Sequence, residues 1–134
     1  MLSDKSLEKI KRVFSDFDDV KAVYLFGSYA DNKENRFSDI DLGILLKDKY
    51  DKKIKLDILS EMAEIGFCKV DLVILNEAPI LMKYEIVKHN KLIYKKDNFD
   101  SNSYFSSVIR RYLDFNPFLE VQNKYFKERL LNGK

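Results

Sequence analysis

The apolar positions of this chain switch between helical and extended spacing, and each switch marks an element. Leu7, Ile10, Val13, Phe14 and Phe17 recur at helical spacing, which predicts a helix over 3–17 that Ser3 or Asp4 can cap. Val20 to Phe26 is rich in β-branched and aromatic residues and reads as a strand ending at Gly27-Ser28. The polar run from Asp31 to Arg36 reads as a loop. Asp39 to Leu46 is nearly continuous in apolar residues, as in a strand covered on both faces. After the charged turn 47–53, Ile58, Met62 and Ile65 form the stripe of a helix over 54–65. Lys69 to Leu75 is a third strand. Ala78 to His89 is a helix opened by Pro79, and Lys91 to Lys95 is a short fourth strand. Helices over 103–115 and 117–131 follow, separated at Asn116-Pro117.

Strands that alternate with helices predict an α/β (α+β) architecture, a mixed sheet flanked by helices. The 134 residues make one domain, with residues 1–96 as a core and 97–134 as a C-terminal helical extension; Asp97 to Ser103 is the one plausible junction. In that extension Phe105, Val108, Ile109 and Tyr112 form a helical stripe whose default role is packing, and Arg110-Arg111 serve equally as partner contacts or as a solvated face.

Composition narrows the class. An apolar fraction of 46% supports a core, and a charged fraction of 34% a well-solvated outside. No apolar run approaches the roughly 20 residues that span a bilayer, and no N-terminal signal is visible, so no membrane role is expected. Cys68 is the sole cysteine, which rules out an intrachain disulfide, fits a cytoplasmic setting, and suggests a small buried apolar residue. A net charge of +2 lacks the broad basic field of a non-specific nucleic-acid binder, so no direct nucleic-acid binding is expected.

The chemistry concentrates in one segment. Gly27-Ser28 ends a strand; ten residues on, Ser38-Asp39-Ile40-Asp41 opens the next. Alternation along a strand points Asp39 and Asp41 the same way. Two adjacent carboxylates repel unless a cation lies between them, and such an oxygen-rich pair suits Mg²⁺ with substrate phosphates as further ligands. Gly43 follows on the same face, where a missing side chain would let a ligand come close. Gly27 permits a tight turn, and the Ser28 hydroxyl with nearby N–H groups can hold phosphate oxygens. Asp71 lies mid-strand among apolar neighbours, where a carboxylate is costly unless bonded or functional. If its strand neighbours 39–46, it completes a triad as a metal ligand or as the base for an attacking hydroxyl. Taken singly, an Asp-x-Asp is usually surface decoration, a Gly-Ser usually a turn, and a strand Asp often a solvated edge. Their conjunction is the specific signal. His89, the lone histidine, reads as a surface or capping residue near a helix end.

Gly-Ser-x10-Asp-x-Asp resembles the signature of the DNA polymerase β-type nucleotidyltransferase superfamily. Within it the chain looks like the minimal nucleotidyltransferase antitoxins paired with HEPN-domain toxins, through Val70 to Asn76 and Tyr84 to Tyr94 as well, a likeness over about residues 1–96. The resemblance implies a mixed sheet of four or five strands. It implies two Mg²⁺ ions held by Asp39, Asp41 and Asp71, and triphosphate contacts from Gly27 and Ser28. It further implies ATP as donor and a tyrosine of a cognate toxin as acceptor. One departure stands out: Asp31-Asn32 occupy the place where many members carry Arg-Gly, and an arginine there would offset transition-state charge. Lys33 and Arg36 are substitutes or plain loop residues. Three readings remain: an adenylyltransferase antitoxin, an antitoxin that acts by binding alone, and a small-molecule (antibiotic) nucleotidyltransferase, for which 134 residues leave little room. For assembly, a homo-oligomer and a complex with the cognate toxin both stay open.

Overall fold

The computed structural model describes residues 3–27 and 40–115. Among them run helix α1 (Asp4–Ser15), strands β1 (Val20–Phe26) and β2 (Ile40–Leu46), helix α2 (Ile54–Glu64) and strand β3 (Val70–Ile74). A short 3-10 turn (Leu75–Glu77), helix α3 (Ile80–Val87), strand β4 (Leu92–Lys95) and helix α4 (101–115) complete the order. The predicted helix over 117–131 lies outside the described residues.

The strands form one mixed sheet in the order β3-β2-β1-β4. β1 is antiparallel to both β2 and β4, and β2 is parallel to β3. α2 makes the crossover that a parallel pair requires. β2 is buried along its length except at Asp41, as its continuous apolar run predicts.

Side chains alternate between two cores. On one face Leu42, Ile44, Leu46, Val23 and Leu25 pack with Ile10 and Phe14 of α1 and with Ile54, Ile58 and Met62 of α2. On the other, Ala22, Tyr24 and Leu45 pack with Ile86 and Val87 of α3 and Val108 of α4. The result is a helix–sheet–helix sandwich. The α4 stripe does pack: Val108 is buried, Phe105 lies against the second core, and Tyr112 stacks on Tyr84 of α3 with ring centroids 3.7 Å apart.

The element boundaries have local causes. Ser3 caps α1, its hydroxyl accepting from the Ser6 N–H at 3.1 Å. Pro79 stands at the N-cap of α3 rather than inside its first turn. Asn90, at φ 50°, turns the chain out of α3 into β4; asparagine tolerates this left-handed conformation. β3 stops at Ile74, and Asn76 takes over its pairing with β2. Its Oδ1 accepts from the Leu46 N–H and its Nδ2 donates to the Leu46 carbonyl, both at 2.8 Å.

Two expectations are corrected. Cys68 is exposed, because it sits in the turn between α2 and β3 beyond Phe67, the residue that packs inward there. Gly43 does not open space for a ligand. It is buried, and a Cβ there would meet Ile86 Cγ2 at 2.7 Å and Leu75 Cδ2 at 3.5 Å, so its missing side chain admits α3.

The Tyr24 and Tyr104 hydroxyls lie in the second core without a hydrogen-bond partner among the described residues. Burial raises the pKa of both phenols, that of Tyr104 to about 12. At the opposite rim, Asp18 joins the start of β1 to the ends of β2 and β4 through Lys47 at 2.8 Å and Lys96 at 2.9 Å. These bonds, that from Lys47 foremost, lower its pKa from the ordinary 3.8 to about 2.

Two outcomes are expected. A folded-state pKa below the unfolded one stabilises above the unfolded value, and that contribution is lost as pH falls through the folded value. The Tm difference between wild type and Asp18→Asn should therefore be present above about pH 4, close toward about pH 2, and narrow with added salt, since the carboxylate is exposed. Gly43→Ala should lower stability by about 1–3 kcal/mol through overpacking. Adding Ile86→Ala should then cost less than the sum of the single changes, which chemical denaturation of the four proteins measures.

Candidate functional site

Strand pairing assembles the site at the N-terminal end of β2. Asp41 pairs across the antiparallel ladder with Phe26, the last residue of β1, and across the parallel ladder with Asp71 of β3. Register partners share a face, so Asp41 and Asp71 lie side by side on neighbouring strands, roughly 4.8 Å apart in the hydrogen-bonding direction. That face is the one that carries Gly43 and Leu45, which α3 covers farther along. Asp41 is half-buried and Asp71 exposed, so the carboxylates emerge where the helical cover ends.

Gly27 follows β1 with φ +71°. A Cβ on this residue would land on Asp41 Oδ2 and stand 3.0 Å from Asp41 Cγ. The space of the absent side chain is thus occupied by a carboxylate, at a left-handed backbone position that favours glycine. The sequence suggests Gly27 for a tight turn and phosphate approach; the structure adds that it makes room for Asp41. Nothing in the local sequence reveals this, because the contact depends on the β1–β2 register.

Of the five residues singled out from the sequence, the structure brings Gly27, Asp41 and Asp71 together across three adjacent strands. Ser28 and Asp39 lie outside the described residues, as do Asp31, Asn32, Lys33 and Arg36. Asp71 also lines a groove of about 400 Å³ along the β3 edge, with Lys55, Val73, Glu77, Pro79 and Met82 among its other walls. The sequence gives no hint of this groove, since it forms between elements distant along the chain. His89 lies just past α3, half-exposed and outside the carboxylate cluster.

The donor set fits a hard divalent cation. Asp41 and Asp71 supply carboxylate oxygens from rigid strands, and like charges in register favour a cation above them. The tight seat of Asp41 against Gly27 holds one donor in place.

The sequence pattern of the polymerase β nucleotidyltransferases matches residues 8–99. A candidate protein adenylyltransferase of Methanocaldococcus jannaschii is 30% identical over 121 residues, which are 86% of this chain and 93% of that protein. Among solved structures, a toxin–antitoxin complex with AMP-PNP includes a chain that superposes with a TM-score of 0.72 at 24% identity, over 93% of this chain and 98% of that one. The complex of the tri-AMPylated Shewanella oneidensis HEPN toxin with its MNT antitoxin gives 0.66 at 22% identity, over 93% and 95%. At these identities the structures show a shared fold.

The Gly27 contact generates a direct test. In Gly27→Ala, the new methyl displaces the Asp41 carboxylate and strains a left-handed backbone position. A ligand that binds only the folded state raises its Tm. Wild type should show a larger rise with ATP plus Mg²⁺ than with ATP and a chelator, and Gly27→Ala should lose that difference while still melting cooperatively.

Proposed function

This chain belongs to the polymerase β nucleotidyltransferase family, and on that premise we propose that it is a Mg²⁺-dependent protein adenylyltransferase antitoxin. It transfers AMP from ATP to a tyrosine hydroxyl of a cognate HEPN-domain ribonuclease toxin and so neutralises it, acting in the cytoplasm. The observation that carries the reading is the register of Asp41 with Asp71, with Gly27 seated against Asp41. Supporting it are the adenylyltransferase relative that matches nearly this whole chain and the shared fold with an antitoxin found on an AMPylated toxin. No helix among the described residues is long and apolar enough to cross a membrane.

The reaction asks for positioning and charge more than for covalent chemistry by the protein. Gly27 and Ser28 hold the triphosphate: the glycine keeps the backbone close, and the serine contributes a hydroxyl and an N–H. Asp39, Asp41 and Asp71 would hold two Mg²⁺ ions, which supply charge neutralisation on the phosphates when bound. The tyrosine oxygen attacks the α-phosphorus of ATP. A new O–P bond forms, the bond from that phosphorus to the bridging oxygen breaks, and its electron pair leaves with pyrophosphate. Asp71 takes the phenol proton, or would hold an ion whose charge, when bound, lowers the phenol's pKa.

One specific observation favours a second reading. Asp31-Asn32 stand where an Arg-Gly pair is common, so a transition-state cation is missing from that position. Under this reading the fold neutralises its partner by occupancy alone.

Asp71→Asn separates the two. It preserves shape and relieves carboxylate repulsion, so the variant should fold. Mixed with toxin, ATP and Mg²⁺, wild type should add one or more AMP units to a toxin tyrosine by intact mass spectrometry. Asp71→Asn should be slower by at least about a hundredfold, the scale for losing a general base. Neutralisation without added mass, equal in both proteins, would establish the binding reading.

A further inference from the structure

The carboxylates occupy one side of the sheet, and the opposite edge is left to β4. It is the last strand in the order β3-β2-β1-β4, and among the described residues no strand pairs with its outer side. A cleft of about 300 Å³ follows this edge, lined by Leu92, Ile93, Tyr94 and Lys95 of β4 and by Lys11 of α1. We propose that the β4 edge is a docking site for an extended acidic segment of a partner protein, which adds to the sheet as a further strand. The proposal does not depend on the adenylyltransferase reading.

The main chain supplies the first argument. In an antiparallel ladder, alternate residues of a strand turn their N–H and C=O groups away from the neighbouring strand. β4 pairs with β1 at Leu92, Tyr94 and Lys95, and Ile93 has no register partner there. The outer side of β4 therefore presents donors and acceptors in alternation along the cleft. Another extended main chain matches that alternation.

Side chains decide which segment fits. Lys11 and Lys95 are exposed, and neither enters an ion pair among the described residues. Lys91 is exposed just before β4, whereas Lys96 is committed to Asp18. Asp100 feels the charge of Lys95, but its oxygens accept from the N–H and hydroxyl of Ser103. Between Lys91 and Lys95 lie Ile93, buried, and Leu92 and Tyr94, half-buried, with the Tyr94 ring stacked on Phe14 of α1 at 6.3 Å. An apolar centre with a cation at each end fits a segment with apolar residues in its middle and carboxylates at its ends.

The same lysines disfavour other occupants. Two copies of this chain paired antiparallel through β4, centred on Ile93, would set Lys91 of each opposite Lys95 of the other. Like charges directly opposite are destabilising, and lysines on an edge strand guard against such self-pairing. A nucleic acid would meet the lysines, but its phosphates would also face the outward carbonyls of β4, and it has no peptide groups to pair along the edge.

The test is fluorescence anisotropy with a labelled, end-capped peptide that carries glutamates on both sides of a Val-Ile-Val centre. Wild type should bind it, more weakly as salt is raised. Lys11→Glu combined with Lys95→Glu should weaken binding at least about tenfold, since two attractions become repulsions. Lys49→Glu combined with Lys52→Glu changes net charge equally at exposed positions outside the cleft, and its affinity should stay within about twofold of wild type. Two N-methylated forms of the peptide, blocking alternate sets of amides, keep its charge. One should lose binding at least about tenfold and the other should keep it, because only one set faces β4. If the Lys11 and Lys95 charge reversal fails to fold, Lys11→Gln combined with Lys95→Gln should still weaken binding at least about threefold. No binding by wild type up to about 1 mM peptide overturns the proposal. So does an equal loss in the Lys49 and Lys52 variant, or two methylated forms that behave alike. A single-stranded oligonucleotide that binds wild type more tightly than the peptide, and loses that binding in the Lys11 and Lys95 variant, assigns the edge to nucleic acid and overturns it as well.

Discussion

The structure depends on β2 being paired along both edges. One ladder, to β1, runs antiparallel; the other, to β3, runs parallel. Each strand alone carries a carboxylate or a glycine with no evident purpose. The two ladders set them in one row at one end of the sheet. The row is unfavourable in itself, since two carboxylates in register repel. What holds it is the burial of Leu42, Ile44 and Leu46 on one face and Leu45 on the other, which leaves β2 no alternative register without exposing its core residues.

The two faces divide the labour. α1 and α2 cover one face with the larger apolar cluster. Among the described residues the other is only partly covered: α3 comes down on Gly43, close enough that no side chain fits beneath Ile86. Where that cover ends, Asp41 and Asp71 emerge. Helix placement on this face thus decides which part of the sheet is core and which is open to a substrate, and the α3 contact at Gly43 draws the line between them.

Much of this was legible in the chain. The continuous apolar run of β2 announced a strand buried on both faces, and the helical stripes of α1 and α2 announced amphipathic helices. The carboxylates stood out because they interrupt apolar runs. Pairing was not legible, because a register joins residues far apart in sequence. Whether Asp71 lay beside Asp41 was conditional until β3 was seen to run parallel to β2. Gly43 misled for the same reason: a missing side chain is visible in the sequence, but the Ile86 that fills the gap comes from another element. Cys68 misled because cysteines are buried on average, while this one falls in a turn. Asn76 escaped notice because its two bonds to Leu46 need the tertiary fold to exist.

Asn76 has a consequence for the shape of the whole β3 rim. Its carboxamide carries the same donor and acceptor as a peptide unit, and it offers both to Leu46 where another strand residue would otherwise sit. A side chain here impersonates the main chain. The sheet's last rung is filled although the polypeptide has already left it, so the backbone is free to wind through the 3-10 turn and reach Pro79 within a few residues. Had β3 run on to fill that rung itself, the start of α3 would be carried farther from Asp71. One borrowed amide thus ends a strand early without leaving its neighbour's polar groups bare, and the shortened strand brings α3 in as the far wall of the groove.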